Sequence, residues 1–84
     1  MKIVYTRSAE KELLKLNREL GKRIFQKVAL LQNDPFGQGS EKLEGGKGYR
    51  IRVGDYRVTY TIDKISKMIT IIRVRHRKEA YRRW

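Results

Sequence analysis

A strictly alternating stretch, YRIRVGDYRVTY (49–60), constrains the fold of this chain more than any other feature. Successive side chains of a β-strand point to opposite faces. The bulky residues of the first half therefore share one face, while Arg50 and Arg52 share the other. After the central Gly-Asp the alternation resumes, with Arg57 on the cationic side. The pattern predicts two neighbouring strands with one apolar face and one cationic face.

The segment before this stretch carries helical periodicity. After a short predicted strand, KIVYT, apolar residues recur every three or four positions between Leu13 and Leu31, which is the spacing of one helix face. Gly21 falls within the series and weakens a helix locally. The pattern therefore predicts a hairpin of two helices, at roughly 8–18 and 20–33.

Flanking residues indicate where these elements begin and end. Ser8 is expected to cap the first helix, and Asp34 to end the second, because the residue before Pro35 is driven out of helical geometry. The glycine-rich EKLEGGKG is interpreted as a flexible lead into the arginine strands, since it lacks the GxxxxGK[ST] pattern of a nucleotide-binding loop. KISK is predicted to be a turn, and MITIIRVR, rich in β-branched residues, a last strand.

Together these elements predict an α+β fold with the order β-α-α-β-β-β. A small, largely antiparallel sheet would carry the helix hairpin on one face, and the C-terminal HRKEAYRRW would form a short helix or tail. The sequence contains no linker or internal repeat, so we expect a single domain over residues 1–84. The opposite face of the sheet is left for the arginines.

The charge balance narrows what a cationic face is for. Twenty-one Lys and Arg against nine Asp and Glu give a formal net charge of +12, which favours a polyanionic partner: nucleic acid, an anionic membrane surface or an acidic protein. The chain has no Cys, which excludes disulfides and thiolate metal sites. Its longest apolar run, VALL, is too short to span a membrane, and we expect a cytoplasmic protein.

Arginines are the main candidates for a functional site. Arg50, Arg52 and Arg57 should project from adjacent strands onto one face, where guanidinium groups could bind phosphate through bidentate, charge-assisted hydrogen bonds. A second alternating series follows in the last strand and beyond it: Arg73, Arg75 and Arg77. The alternative is that an exposed arginine face only keeps the protein soluble, although no glutamate interrupts either row.

Residues near the C-terminus could also take part in chemistry. His76, the only histidine, could accept a proton or have a structural role instead. Tyr81 follows Arg77 by four residues and shares its face if the tail is helical; otherwise it packs the tail onto the sheet. Trp84 either anchors the terminus or stacks on a base.

The carboxylates bear on which nucleic acid could be cut. The nine Asp and Glu form no compact acidic cluster in the sequence of the kind that holds Mg²⁺ for two-metal nuclease chemistry. RNA permits cleavage without a metal or other cofactor, because its own 2′-OH can attack the adjacent phosphate. DNA has no such internal nucleophile. If the cationic face is catalytic, it therefore indicates RNA as the substrate.

The same residues resemble a known family. KLEGGKGYRIRVGDYRVTY followed by IIRVRHRKEAYRR, with SAEKELLKL and NDPF nearer the N-terminus, is similar to the RelE/ParE superfamily of bacterial and archaeal toxin-antitoxin systems, in particular its RelE-like toxins. The resemblance implies the RelE-like fold and a toxin that enters the ribosomal 30S A site and cuts translated mRNA, leaving a 2′,3′-cyclic phosphate. It also implies a neutralising antitoxin. On charge grounds the antitoxin segment should be acidic or amphipathic and partly disordered when free.

Roles for individual residues follow from the resemblance. Arg57, Arg77 and Tyr81 match a strand arginine, an arginine near the end of the last strand and a tyrosine in the tail, although the last two are closer together here. Arg50 and Arg52 stand where RelE has lysines. Because a guanidinium is a poor general base, these two are better suited to clamp phosphate and stabilise the transition state.

More than one residue is a candidate for the proton acceptor, and several further cations are candidate RNA contacts. His76 is the first candidate base, and Glu41 or Glu44, in the loop before the arginine strands, is the alternative. Further RNA contacts are expected from neighbouring cations: Lys47, Arg73, Arg75, Lys78, Arg82 and Arg83. Two other functions share the same residues: a ParE-like inhibitor that binds DNA gyrase, and an RNA-binding module that does not cut.

Overall fold

A five-stranded sheet with two helices packed on one face forms the body of the protein. The computed structural model describes residues 1–36, 39–46 and 48–80. The elements in chain order are β1 (Lys2–Tyr5), α1 (Arg7–Leu14), α2 (Arg18–Leu30), β2 (Glu41–Lys42), a 3-10 turn (Glu44–Gly46), β3 (Tyr49–Val53), β4 (Tyr56–Asp63), β5 (Met68–His76) and α3 (Arg77–Ala80). None of the helices in these ranges is both long and apolar enough to cross a membrane.

The sheet has the strand order β1-β5-β4-β3-β2. Strands β3, β4 and β5 follow one another as antiparallel hairpins, and β1 lies parallel to β5 at one edge. The predicted α+β class and largely antiparallel sheet are therefore confirmed. The segment expected to be a flexible lead instead contains β2, in which Glu41 pairs with Arg50 and Lys42 with Tyr49.

The core lies between the helices and the sheet. Its buried residues come from both layers: Ala9, Ile24, Val28, Leu31, Ile51, Val53, Val58, Tyr60, Ile69, Ile71 and Val74. The apolar side chains of the alternating stretch lie on the sheet face toward α2, as a period of two residues predicts. The Tyr60 hydroxyl, at the end of this core, donates a hydrogen bond to the Pro35 carbonyl (2.8 Å) and lies 2.8 Å from Ser40 Oγ. These bonds tie the loop after α2 to the sheet.

The helix boundaries differ from those predicted. Thr6, not Ser8, caps α1: its Oγ1 accepts from the Ala9 amide (3.1 Å) and donates to the Ile72 carbonyl (2.9 Å). The second bond reaches β5, so a tertiary contact selects the cap. Asn17 caps α2 through the Leu20 amide (2.8 Å). The break between the helices therefore precedes Asn17, and Gly21 lies inside α2 rather than at the break.

A β-bulge changes the face of every side chain in the second half of β5. Tyr60 pairs with Ile71, but Thr59 pairs with Arg73, so Ile72 is the extra residue. Strict alternation from Ile71 would turn Arg73 toward the helices. The bulge instead places it on the cationic face, on the same side of the sheet as Arg57.

Candidate functional site

A row of three arginines crosses the face of the sheet opposite the helices. Arg57 pairs with Arg52 on one side and with Arg75 on the other. In the adjacent row, Thr59 pairs with Arg50 and with Arg73. The structure thus brings the arginines of both alternating series onto one face. Like charges directly opposite one another destabilise a sheet, so this row favours binding of an anion.

Glu41 supplies negative charge at one end of this face. Its carboxylate accepts a 2.9 Å hydrogen bond from Arg50 Nη2 and lies 4.0 Å from Arg52 Nε. The hydrogen bond from Arg50, followed by the charges of Arg50, Arg52 and Arg57, lowers the pKa of Glu41 below its usual value. Glu41 is therefore a carboxylate at neutral pH and a weak base.

Glu12 supplies negative charge at the other end. Its Oε2 accepts from Arg73 Nη1 (3.3 Å) and Arg75 Nε (3.2 Å), and its Oε1 accepts from the Val74 amide (2.9 Å). That amide lies past Tyr5, the last residue of β1, where β5 has no neighbouring strand on this side. One carboxylate of α1 thus closes the open edge of β5 and holds two of the predicted RNA-binding arginines.

A cleft of about 190 Å³ lies at the end of the sheet that carries the β3–β4 hairpin. Its lining residues come from the β3–β4 hairpin and from the start of α3: Arg52, Gly54, Asp55, Tyr56, Arg57 and Arg77. Arg57 is only 9% exposed, whereas Arg52 is exposed. We refer to this site as the arginine cleft.

Local turn geometry brings Arg77 to the arginine cleft. Gly54 and Asp55 form a two-residue hairpin loop, and Gly54 has a φ of +61°, the conformation that the first loop residue of a type II′ turn requires. The Arg77 amide donates to the Asp55 carbonyl (2.7 Å). This bond fixes the start of α3 against the hairpin, so cations distant in sequence meet at one place.

His76 does not line the arginine cleft. It pairs with Tyr56 across β4 and β5, on the face opposite Arg57 and Arg75. Its ring packs edge-on against the Tyr56 ring, with centroids 5.3 Å apart, and its Nδ1 accepts from the Lys78 amide (3.2 Å). The first candidate base therefore packs against a residue that lines the cleft, Tyr56, without lining the cleft itself.

The remaining predicted residues are scattered or not described. Lys78 and Glu44 are exposed. Four predicted site residues and the terminal tryptophan lie outside the described residues: Lys47, Tyr81, Arg82, Arg83 and Trp84. In the part of the chain that the structure describes, no group of three His, Asp or Glu could hold a metal ion.

Sequence reasoning missed the residues that α1 and α2 contribute. Glu12 gives no signal in the sequence, because its partners lie some sixty residues away. Arg23 and Lys27 are separated by four residues on α2, which is the spacing of one helix face. They line a second groove that adjoins the arginine cleft at Arg52 and Gly54.

Comparison with known proteins places this arrangement in a family. A model of the ParE toxin of the type II toxin-antitoxin system, parDE, matches residues 3–81. The chain belongs to this family. It is a toxin of a type II toxin-antitoxin system, and the resemblance to the RelE/ParE superfamily is confirmed. A comparison with curated protein sequences finds no match.

Solved structures share the fold of this toxin. It is similar to an archaeal RelE–RelB complex from Pyrococcus horikoshii, with 28% identity, a TM-score of 0.79 and coverage of 90% of this chain and 93% of that chain. A RelB–RelE antitoxin–toxin complex from Methanococcus jannaschii matches with 28% identity, a TM-score of 0.75 and coverage of 93% and 94%. A YoeB/ParE toxin from Agrobacterium tumefaciens, at 21% identity, a TM-score of 0.77 and coverage of 90% and 98%, shares the fold.

Proposed function

We propose that this toxin is a ribosome-dependent endoribonuclease that cuts translated mRNA in the A site. The observation that carries the proposal is the convergence of Arg52, Arg57 and Arg77 on one cleft. Guanidinium groups match the geometry of phosphate oxygens. A protein that acts only by binding another protein has no evident need for such a convergence.

The reaction that fits this cleft uses the RNA's own nucleophile. The 2′-OH loses its proton and attacks the adjacent phosphorus, the bond from phosphorus to the 5′-oxygen breaks, and the leaving oxygen takes up a proton. The products are a 2′,3′-cyclic phosphate and a 5′-OH. The protein's part is to position the phosphate and stabilise the developing negative charge. This chemistry requires no metal ion held by the protein.

Arg57 is best placed to stabilise the transition state. Arg57 lines the arginine cleft and is only 9% exposed, so water screens its charge less than that of exposed Arg52. Removing one such electrostatic contact typically costs about 10²- to 10³-fold in rate. Arg52 and Arg77, at the rim, would bind the phosphate and orient it.

Glu41 and His76 are two of the candidate residues for proton transfer. Glu41 is an ion-paired carboxylate with a lowered pKa, and His76 lies on the other face of the sheet. We therefore propose that positioning and charge stabilisation provide most of the rate, and that His76 contributes less than Arg57.

The proposed partner that silences the toxin is a cognate antitoxin. Solved relatives are complexes of RelE with RelB. A surface of net charge +12 favours an acidic or amphipathic antitoxin segment. Bound over the cationic face, such a segment would block entry to the ribosome.

Toeprinting on purified ribosomes with a defined mRNA tests the proposal. We expect cleavage at the A-site codon only when ribosomes are present, at a Mg²⁺ concentration that keeps the ribosomes intact. Arg57→Ala and Arg77→Ala should each slow cleavage about 10²- to 10³-fold. Arg18→Ala is the matched control: it removes an exposed arginine that lines neither the cleft nor the adjoining groove, and it should keep most of the activity. Equal losses in all three variants would contradict a cleft-specific role.

A second candidate function is inhibition of DNA gyrase. The observation in its favour is that the matching family model is that of the ParE toxin. A supercoiling assay with purified gyrase distinguishes the two functions. Inhibition by the wild type and by Arg57→Ala alike, without RNA cleavage on ribosomes, would replace the endoribonuclease proposal with gyrase binding.

A further inference from the structure

A second groove adjoins the arginine cleft on the side of α2. It has a volume of about 430 Å³ and is lined by α2 and the tip of the β3–β4 hairpin: Arg23, Gln26, Lys27, Leu30, Arg52, Val53 and Gly54. Arg52 and Gly54 line both cavities. An extended chain lying in the arginine cleft can therefore continue across Gly54 into this groove, which we call the α2 groove.

Two of the cations of the α2 groove, Arg23 and Lys27, come from the helix, and the third, Arg52, comes from the sheet and lies 4.0 Å from Glu41. Glu41 and Glu12 hold four of the sheet arginines. Among the described residues, neither Arg23 nor Lys27 forms an ion pair, and no carboxylate lines the groove. The two cations are four residues apart, about 6 Å along the axis, and face the same side of α2.

The groove also has an apolar part next to these cations. Leu30 is 65% exposed and lines the groove with Val53. At the junction with the arginine cleft, Gly54 carries no side chain, and a Cβ added there would have no neighbour within 4 Å. Apolar surface bordered by cations suits a nucleotide strand, whose bases have apolar faces and whose phosphates are anionic.

We propose that the α2 groove binds the single-stranded RNA that leaves the arginine cleft, with Arg23 and Lys27 contacting phosphates beyond the one that is cut. This inference rests on the proposed function, because it assigns the groove to the same RNA strand. The arginine shared by the two cavities favours RNA over an acidic peptide: a strand whose phosphate is bound by Arg52 is already at the entrance of the groove.

Binding of 2′-O-methyl oligouridylates, which cannot be cleaved, tests the inference without ribosomes. Fluorescence anisotropy of labelled two-, four- and six-nucleotide probes is measured against wild type and Arg23→Gln/Lys27→Gln across a range of salt concentrations. The control, Lys2→Gln/Lys67→Gln, removes the same charge at the opposite end of the sheet, where Lys2 adjoins the β4–β5 turn.

The length of the probe separates the two sites. The dinucleotide fills only the arginine cleft, so the α2 variant should bind it as the wild type does. For the hexanucleotide the α2 variant should bind more weakly, and its slope of log K against log salt should fall by about 1.4, or about 0.7 for each lost phosphate contact. In the control variant, the affinity should depend on the length of the probe as it does in the wild type.

Three results would overturn the inference. Equal weakening in the α2 and control variants would indicate net charge alone. Hexanucleotide binding unchanged by Arg23→Gln/Lys27→Gln would show that RNA does not follow the groove. Unchanged RNA binding with weakened binding of the cognate antitoxin would make the groove a protein-docking surface. Failure of cleavage on ribosomes, by contrast, overturns the proposed function and leaves this binding result standing.

Discussion

At the scale of single residues, the cationic face depends on where its few carboxylates lie. Glu41 occupies the position beside Arg50 and Arg52 that a substrate phosphate would take. It therefore acts as an internal competitor for the anion that these arginines bind. The competition is modest, because the pair is exposed to water and screened by salt.

Replacing Glu41 tests this competition. Glu41→Gln should tighten binding of a non-cleavable RNA about two- to five-fold, measured by fluorescence anisotropy at pH 7. Arg50 holds the pKa of Glu41 below its usual value, so the carboxylate stays charged until the pH falls below the ordinary glutamate range. Wild-type affinity should therefore rise only in that acidic range, and Glu41→Gln should remove this rise. Glu44→Gln is the control; an equal gain there would refute the competition.

The backbone at Gly48, just before β3, lies very close to the backbone of β4. Gly48 has a φ of +111°, and a Cβ there would lie 2.5 Å from the Tyr60 carbonyl oxygen and 3.2 Å from Thr61 Cγ2. Gly48→Ala should lower the free energy of unfolding by about 2–4 kcal/mol, from backbone strain and the clash together. Gly46 also has a positive φ, +67°, but a Cβ there would meet no atom within 4 Å. Gly46→Ala should therefore lower the free energy of unfolding by only about 1 kcal/mol. Urea denaturation gives both values; equal costs would show that the clash is relieved.

At the scale of elements, α1 is attached to β5 by Glu12. The helix contacts the strand where β1 has ended, and the carboxylate satisfies the Val74 amide as well as two guanidinium groups. Glu12→Ala should cost about 1–3 kcal/mol of stability, because it leaves a strand amide and two cations without their acceptor. Glu12→Gln should cost less, since the amide oxygen can still accept from Val74.

Thermal and urea unfolding of these two variants measures the effect. Glu10→Ala serves as the control, because Glu10 is exposed in the first turn of the same helix and contributes only its favourable interaction with the helix dipole, about 0.3–1 kcal/mol. A loss in Glu12→Ala no larger than in Glu10→Ala would mean that α1 is held by apolar contacts alone.

Local patterns predicted elements better than their boundaries. The period of two placed Arg50, Arg52 and Arg57 on one face, and the helical spacing placed two helices before them, because both signals depend on burial along one segment. Thr6 prevailed over Ser8 as a helix cap because it also bonds to Ile72, a contact that no local pattern contains. The bulge at Ile72 and the pairing of β2 likewise depend on partners distant in the chain.

At the scale of the whole molecule, one part of the candidate site could be predicted from the sequence and another part could not. The net charge and the alternating arginines indicated an anion-binding face before any geometry was known. The arginine cleft itself needed the Gly54-Asp55 turn and the bond from the Arg77 amide to the Asp55 carbonyl, which join β3, β4 and α3. His76 packs on Tyr56, a contact between β4 and β5 that its position beside Arg75 and Arg77 in the sequence does not reveal.

Two properties of the whole molecule can each contribute to the binding of an antitoxin. One is the charge of +12, and the other is the set of apolar side chains that the helices leave exposed, including Leu14 (77%), Phe25 (57%) and Leu30 (65%). Charge acts at long range and mainly speeds association, whereas apolar contact forms at short range and mainly slows dissociation. The two contributions can therefore be separated by kinetics.

If charge guides the antitoxin, raising the salt concentration from 50 to 500 mM should slow its association with the toxin at least about tenfold and change dissociation little. Surface plasmon resonance with immobilised antitoxin measures both rates. Phe25→Ser gives the opposite signature if α2 is also covered: faster dissociation with an unchanged salt dependence. Association that does not respond to salt would contradict the electrostatic prediction and assign recognition to the apolar side chains, since the net charge of the toxin would then have no part in bringing the two proteins together.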